Sequence, residues 1–109
     1  MKIRSLFLLL MSLWLPSTAH AQSDFFKGKQ IKIVVGFSAG GIIDLWARLF
    51  ALYLGKYIPG NPTLVVQNLP GGGSMIAANQ LYNVAKPDGL TVAMLSSGLY
   101  FDQLLGAKE

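Results

Sequence analysis

The chain contains no cysteine, and its only histidine, His20, lies close to the N-terminus. The lack of cysteine excludes a disulfide framework, thiolate chemistry and a lipid-anchored lipoprotein. The five acidic residues are few and scattered: Asp24, Asp44, Asp88, Asp102 and Glu109. None of the titratable residues has the spacing of metal ligands. The sequence therefore offers little for acid–base, nucleophilic or metal-assisted catalysis, and we expect no catalytic residue, no metal and no cofactor.

The N-terminus has the pattern of an export signal. Lys2 and Arg4 form a positively charged start, an apolar run follows, and small residues lead to Ala21. We interpret residues 1–21 as a signal peptide that is cleaved between Ala21 and Gln22. A transmembrane anchor is the alternative, but the apolar run is well short of the roughly 20 residues that span a bilayer. We therefore expect an exported protein that is not embedded in the membrane after cleavage.

The charge of the chain gives no sign of a nucleic-acid partner. The full chain has a net charge of +4. Removal of Lys2 and Arg4 leaves seven basic residues against five acidic residues, a net charge of about +2. Only Lys27, Lys29 and Lys32 lie close together, and no stacking aromatic residues are interleaved with them. We interpret these lysines as a solvated segment and expect no nucleic-acid binding.

Strands and helices alternate along the mature segment, residues 22–109. The predicted strands are residues 31–37, 63–67 and 90–95, and the predicted helices are residues 42–57 and 75–84, with a possible helical start after residue 99. This β-α-β-α-β order predicts an α/β fold with a parallel sheet and right-handed crossovers. Three strands without a closing helix leave one face thinly covered. We therefore expect the chain to be a truncated, opening part of a larger fold.

The first predicted helix is apolar almost all round. Its main apolar face is formed by Ile42, Trp46, Leu49, Phe50, Tyr53 and Tyr57. We expect Trp46 and the tyrosines to belong to the core and not to a stacking platform. Because Leu45, Leu52 and Leu54 lie off the main face, the helix needs cover on more than one side.

Each predicted strand is followed by a small or glycine-rich loop: residues 38–41, 70–74 and 96–98. The carboxyl ends of parallel strands meet at one edge of a sheet, where ligands bind. Two of these loops run directly into helices, whose first amides have no partner within the helix and, with the helix dipole, attract an anion. One such loop is equally explained as a tight strand-to-helix turn, whereas three at one edge favour a ligand site.

The more specific motifs of nucleotide and hydrolase sites do not match. Gly71 and Gly73 fit the first two positions of G-x-G-x-x-G, but Ile76 occupies the third, and G-K-[ST] does not occur. The absence of a Gly-x-Ser-x-Gly elbow argues against an exported hydrolase of the same topology.

Asp44 has two interpretations. It is either a helix N-terminal charge paired with Arg48, or a residue that orients the loop or contacts the ligand.

Two segments of the sequence resemble one known family. Residues 31–48 resemble the opening strand, glycine-glycine loop and Asp/Ala-Arg helix of the tripartite tricarboxylate transporter substrate-binding receptors. Residues 65–74, with the Asp-Gly turn at 88–89, resemble that family's Asn-x-Pro-Gly-x-Gly segment and the turn after it. The order and the spacing of both segments agree with the family. One departure is that Ile42 and Ile43 stand where the family often has a hydroxyl residue.

The resemblance implies a periplasmic receptor with the two-domain Venus-flytrap fold of periplasmic binding proteins. This chain would be part of the first domain, with the second domain absent. Such receptors capture a small carboxylate, largely through backbone amides and waters, and deliver it to the membrane subunits of a tripartite transporter. The ligand-binding residues carried over to this sequence are Ser38, Gly40, Gly41, Asp44, Gly72, Gly73 and Ser74, with Ser96 and Ser97 as weaker candidates.

The sequence leaves two further interpretations open. The receptor would serve sensing if it passed its ligand state to a membrane signalling protein instead of a permease. Alternatively, the chain would be a non-functional relic if its incomplete sheet and exposed apolar helix made it poorly soluble. Neither interpretation changes the expected fold or the expected position of the ligand site.

Overall fold

The computed structural model describes residues 25–106 of the chain. The predicted signal peptide and its cleavage site between Ala21 and Gln22 lie outside the described residues. Within residues 25–106, none of the helices combines the length and the apolar character needed to cross a membrane.

Strands and helices alternate through the described residues in the predicted order. The strands are β1 (Gln30–Val35), β2 (Thr63–Asn68) and β3 (Thr91–Met94). The helices are α1 (Ile42–Leu54), α2 (Met75–Asn79) and α3 (Leu99–Leu104). A 3₁₀ turn, Gly55–Tyr57, follows α1, and a wider π turn, Gln80–Val84, follows α2. The predicted α/β fold is confirmed, and the regular part of each long helix ends earlier than predicted.

The sheet is parallel throughout and has the strand order β2-β1-β3. In the middle, Ile33 of β1 pairs with Val66 of β2 and with Val92 of β3. Ile33, Val34 and Val35 are buried although successive side chains point to opposite faces of the sheet. Burial on both faces is typical of a central parallel strand, and it agrees with the parallel sheet that the sequence predicts.

Helix α1 packs its small side chains against the sheet. Ala47 is fully buried in a cluster with Ile33 and Val35, and Ile43 and Ala51 pack against this cluster. The spacing of four residues between Ile43, Ala47 and Ala51 places them on one helix face. Because alanine is small, the helix axis can approach β1 closely without leaving a void.

The prediction that Trp46 and the tyrosines belong to the core is wrong. Trp46 and Phe50 are each 50% exposed, with ring centroids 6.5 Å apart, and Tyr57 is 81% exposed. Helical periodicity identified an apolar face, but the face that packs on the sheet is the narrower one that contains Ala47. The outer side of α1 is uncovered by the described residues, in agreement with the expectation that this helix needs cover on more than one side.

Candidate functional site

Three loops leave the carboxyl edge of the parallel sheet. The first loop, residues 36–41, joins β1 to α1; the second, residues 69–74, joins β2 to α2; the third, residues 95–98, joins β3 to α3. Because β1 is the central strand, the first loop lies between the other two. The loops predicted to carry the ligand site are therefore neighbours, and side chains beneath them hold them together.

Ser74 connects all three loops from a buried position. Its hydroxyl donates a hydrogen bond to the carbonyl oxygen of Gly36 at 3.0 Å and accepts one from the amide of Ser96 at 3.1 Å. Only 1% of Ser74 is exposed. Any side chain at position 36 would clash with Ser74, because a Cβ there would lie 2.5 Å from Ser74 Oγ. Ser74 therefore holds the loops in place from below their surface.

The second loop turns through left-handed backbone. Gly71, Gly72 and Gly73 have φ angles of 134°, 53° and 60°, and Ser74 follows at 81°. Glycine adopts such angles readily, whereas serine pays roughly 1–2 kcal/mol, which its two hydrogen bonds offset. Gly72 and Gly73 are exposed. Backbone amides of such tight turns form concavities that attract anions.

Asp44 is buried beneath the first loop, with 2% of its surface exposed. Its Oδ2 accepts the Gly40 amide at 2.8 Å and Arg48 Nε at 3.0 Å, and its Oδ1 accepts Asn68 Nδ2 at 2.9 Å. These hydrogen bonds, of which that from Arg48 contributes most to the shift, lower the pKa of Asp44 from 3.8 to about 2. Asp44 is therefore ionised at neutral pH, and donors from three segments of the chain surround its charge.

Asn68, the last residue of β2, is a structural partner of Asp44 whose role the sequence pattern did not predict. Its Nδ2 donates to Asp44 and also to the carbonyl oxygen of Phe37 at 3.1 Å. Its Oδ1 accepts Arg48 Nη2 at 3.3 Å. The spacing along β2 could have indicated this role. Asn68 is a polar residue two positions after Val66, and this spacing places both side chains on the sheet face that packs against α1.

The start of α1 supplies backbone donors that have no acceptor within the helix. Gly41 precedes the helix with extended backbone, φ −76° and ψ 171°, and no side chain caps the helix. The amide of Leu45 donates to the carbonyl oxygen of Gly41 at 3.0 Å and begins the helical pattern. The amides of residues 41–44 therefore lack an intrahelical acceptor. Together with the dipole of this 13-residue helix, they favour an anion.

The nine predicted ligand-binding residues fall into two groups. Asp44 and Ser74 are buried, and their polar atoms contact protein groups. Asp44 both pairs with Arg48 and accepts the Gly40 amide of the first loop, so the helix-charge and loop-orienting interpretations hold together. The remaining seven lie in the loops, mostly exposed: Ser38, Gly40, Gly41, Gly72, Gly73, Ser96 and Ser97. Two amides of this second group, those of Gly40 and Ser96, are already bonded to Asp44 and Ser74.

Two grooves lie away from the predicted ligand residues. One, of about 460 Å³, is lined by Lys32, Gln67 and Lys86 among others, and the second, of about 570 Å³, lies beside the end of α1 and the start of β2. None of the predicted ligand residues lines either groove. Among residues 25–106, no three His, Cys, Asp or Glu side chains form a group that could hold a metal ion.

The fold and the loops define part of an α/β domain whose sheet edge is rich in backbone donors. No protein-family model matches the chain. The chain is 37% identical over 82 residues to the UPF0065 protein in the gbd 5' region of Cupriavidus necator, and 38% identical over 81 residues to a UPF0065 protein of Bordetella pertussis. These alignments cover 75% and 74% of this chain but 24% of each relative.

A third relative gives the same picture. The chain is 33% identical over 87 residues to the UPF0065 protein in the tcbD-tcbE intergenic region of a Pseudomonas species, strain P51. That alignment covers 80% of this chain and 25% of the relative. The chain thus spans about a quarter of the length of the relatives it matches.

Proposed function

We propose that this chain is the ligand-holding N-terminal part of a periplasmic receptor of the tripartite tricarboxylate transporter type, and a binding protein instead of an enzyme. UPF0065, the name that the relatives share, denotes the family of these receptors. This name supports the resemblance that residues 31–48 and 65–74 carry. In this function the receptor captures a small carboxylate and presents it to the membrane subunits of a transporter.

The observation that carries this proposal is the presence of two sets of backbone donors on neighbouring loops. One set is the start of α1, residues 41–44, and the other is the exposed glycine turn at Gly72 and Gly73. A charge-assisted hydrogen bond contributes about 1.5–3 kcal/mol. Micromolar affinity corresponds to about 8 kcal/mol, so a few such bonds to a carboxylate account for most of it.

Basic side chains have a minor part in this proposal. Arg48, the basic residue in the hydrogen-bond network, is 3.0 Å from Asp44 through its Nε atom. Its charge is therefore paired with the buried carboxylate of Asp44, although its side chain is 53% exposed. Ligand capture by backbone amides is the mode that this arrangement supports.

The test is to remove one backbone donor without disturbing the helix. Ile42 is the first residue of α1, a position where proline is well tolerated, and Gly41 before it has the extended conformation that proline requires. Ile42→Pro therefore deletes an amide donor and keeps the fold. Ile42→Ala is the matched control, because it shortens the same exposed side chain and keeps the amide.

Isothermal calorimetry with a panel of mono-, di- and tricarboxylates measures the outcome. We expect one class to bind the wild-type chain, Ile42→Ala to bind similarly, and Ile42→Pro to bind about tenfold or more weakly. Absence of heat for every carboxylate would refute the proposed function. If Ile42→Pro and wild type bound with equal affinity, the amide at the start of α1 would not be part of the ligand site.

A further inference from the structure

The carboxylate of Asp44 joins three separate segments of the chain at one buried point. It accepts a hydrogen bond from the Gly40 amide in the first loop, from Arg48 one turn further along α1, and from Asn68 at the end of β2. A buried carboxylate that accepts several hydrogen bonds fixes the groups that donate them, since leaving any of these groups unpaired is costly. The backbone at Gly40 is therefore tied to the neighbouring strand through one side chain.

The side-chain amide of Asn68 completes the connection. It donates both to Asp44, at 2.9 Å, and to the carbonyl oxygen of Phe37 at the start of the first loop, at 3.1 Å. The first loop is thus held at its two ends, at Phe37 and at Gly40. The second loop begins directly after Asn68, so the position of one loop depends on that of the other.

We propose that Asp44 and Asn68 are positioning residues that hold the first and second loops in one arrangement and raise the affinity for an anionic ligand without contacting it. The role in affinity rests on the proposed function above, whereas the role in loop order does not. Donors that are already fixed in place bind a ligand without the cost of ordering the loop.

The charge of Asp44 alone predicts the opposite effect on anion binding, so a measured affinity distinguishes a positioning role from an electrostatic role. Asp44 is negatively charged, so its charge by itself repels an anionic ligand. Replacement by asparagine removes that charge and leaves Arg48 unpaired, which would strengthen anion binding if charge dominated. Asparagine also presents one acceptor oxygen where three donor groups converge, so it disrupts the connection. A positioning role therefore predicts weaker binding, and a purely electrostatic role predicts tighter binding.

The first experiment compares carboxylate affinity in the full chain and its variants by calorimetry, with the carboxylate that binds wild type best. We expect Asp44→Asn to bind about fivefold or more weakly. Asn68→Ala, which leaves the net charge unchanged, should also bind more weakly. The control is Asp88→Asn, because Asp88 is exposed before β3, at the opposite edge of the sheet, and asparagine keeps its hydrogen bond with the Leu90 amide. Unchanged or tighter binding by Asp44→Asn would overturn the proposal.

A second experiment needs no ligand, so it distinguishes failure of this proposal from failure of the proposed function. Amide hydrogen exchange of the free chain is followed by NMR at Gly40 and, as a reference, at Val35 in the central strand. In Asp44→Asn and in Asn68→Ala we expect exchange at Gly40 to become about tenfold faster while Val35 stays protected. Unchanged exchange at Gly40 in both variants would overturn the positioning role even if carboxylates bind.

Discussion

Replacement of Gly36 by alanine should destabilise the whole loop edge through Ser74. The added Cβ would lie 2.5 Å from Ser74 Oγ and 2.6 Å from its Cβ. Favourable contacts between carbon atoms lie at about 3.5–4.0 Å. Ser74 is buried and directly precedes α2, so it has no room to move without losing its hydrogen bonds to Gly36 and Ser96. A single methyl group therefore affects three loops at once.

The magnitude follows from the contacts that Gly36→Ala disturbs. Insertion of a methyl group into a packed site costs about 1–3 kcal/mol. Each of the two hydrogen bonds of Ser74 contributes about 0.5–1.5 kcal/mol. We expect the free energy of unfolding to fall by about 2–4 kcal/mol, since some strain is relieved as the bonds lengthen. Natural domains have a free energy of unfolding of about 5–15 kcal/mol, so this loss is a large fraction of the total.

The assay is equilibrium unfolding in urea, followed by circular dichroism. The midpoint should fall while the slope with denaturant stays the same, because the surface exposed on unfolding is unchanged. Ser74→Gly provides the matched test, because it removes the two atoms closest to the new Cβ, Ser74 Oγ and Cβ, and also accepts the φ angle of 81°. Alone, Ser74→Gly should destabilise by about 1 kcal/mol, whereas in the Gly36→Ala background it should restore stability.

The energetic coupling between Gly36→Ala and Ser74→Gly tests whether these two residues interact. If Gly36 and Ser74 interact as the structure shows, the double-mutant cycle should give a coupling energy of at least about 1 kcal/mol. An unchanged midpoint for Gly36→Ala, or effects of the two substitutions that simply add, would refute the reasoning.

Three further predictions concern the charge, the core and the outer surface. The pKa of Asp44 is lowered from 3.8 to about 2. The stability that its ionised form provides is therefore complete above pH 3.8 and is lost as the pH falls toward 2. Asp44→Asn should remove this part of an acid-unfolding curve. Ala47→Leu should lower the free energy of unfolding by about 1–3 kcal/mol, since Ala47 is fully buried, and an unchanged melting temperature would contradict the packing described. Leu52 is 63% exposed. Leu52→Lys should therefore change the free energy of unfolding by less than about 0.5 kcal/mol and should reduce the aggregation that light scattering measures. A large loss of stability would show that Leu52 is covered.

The sequence predicted the order of strands and helices because each rests on a local pattern. After Lys32, β1 continues with the three buried apolar residues Ile33, Val34 and Val35, and its central position explains why both faces of the strand are apolar there. The extent of α2 was predicted less well. After Asn79 the helix widens into a π turn, and the amide of Ala85 donates to the carbonyl oxygen of Gln80 at 2.9 Å. Hydrophobic spacing over so few residues does not separate a π turn from an α-helix.

The orientation of α1 shows a different limit of sequence patterns. Its apolar residues surround most of the helix, so periodicity offers more than one possible core face. The packing distance to the sheet decides between them. Ala47 fits directly against Ile33 and Val35, whereas Trp46 in that position would hold the helix away from the strands. Shape complementarity between two elements is a tertiary property, and a pattern within one element does not contain it.

The candidate site separates the residues that shape the loops from those that face outward. Among the described residues, every buried side-chain nitrogen or oxygen has a hydrogen-bond partner, as the cost of burying an unpaired polar group requires. Asp44 and Ser74 meet this requirement by binding the backbone of neighbouring loops, so their choice of partners sets the loop conformation. Under the proposed function, substitutions at exposed Ser38 or Ser97 should alter the choice of carboxylate with little effect on stability. Substitutions at Asp44 or Ser74 should change the conformation of the loops themselves, so they should weaken binding of all carboxylates together, which calorimetry with the same panel measures.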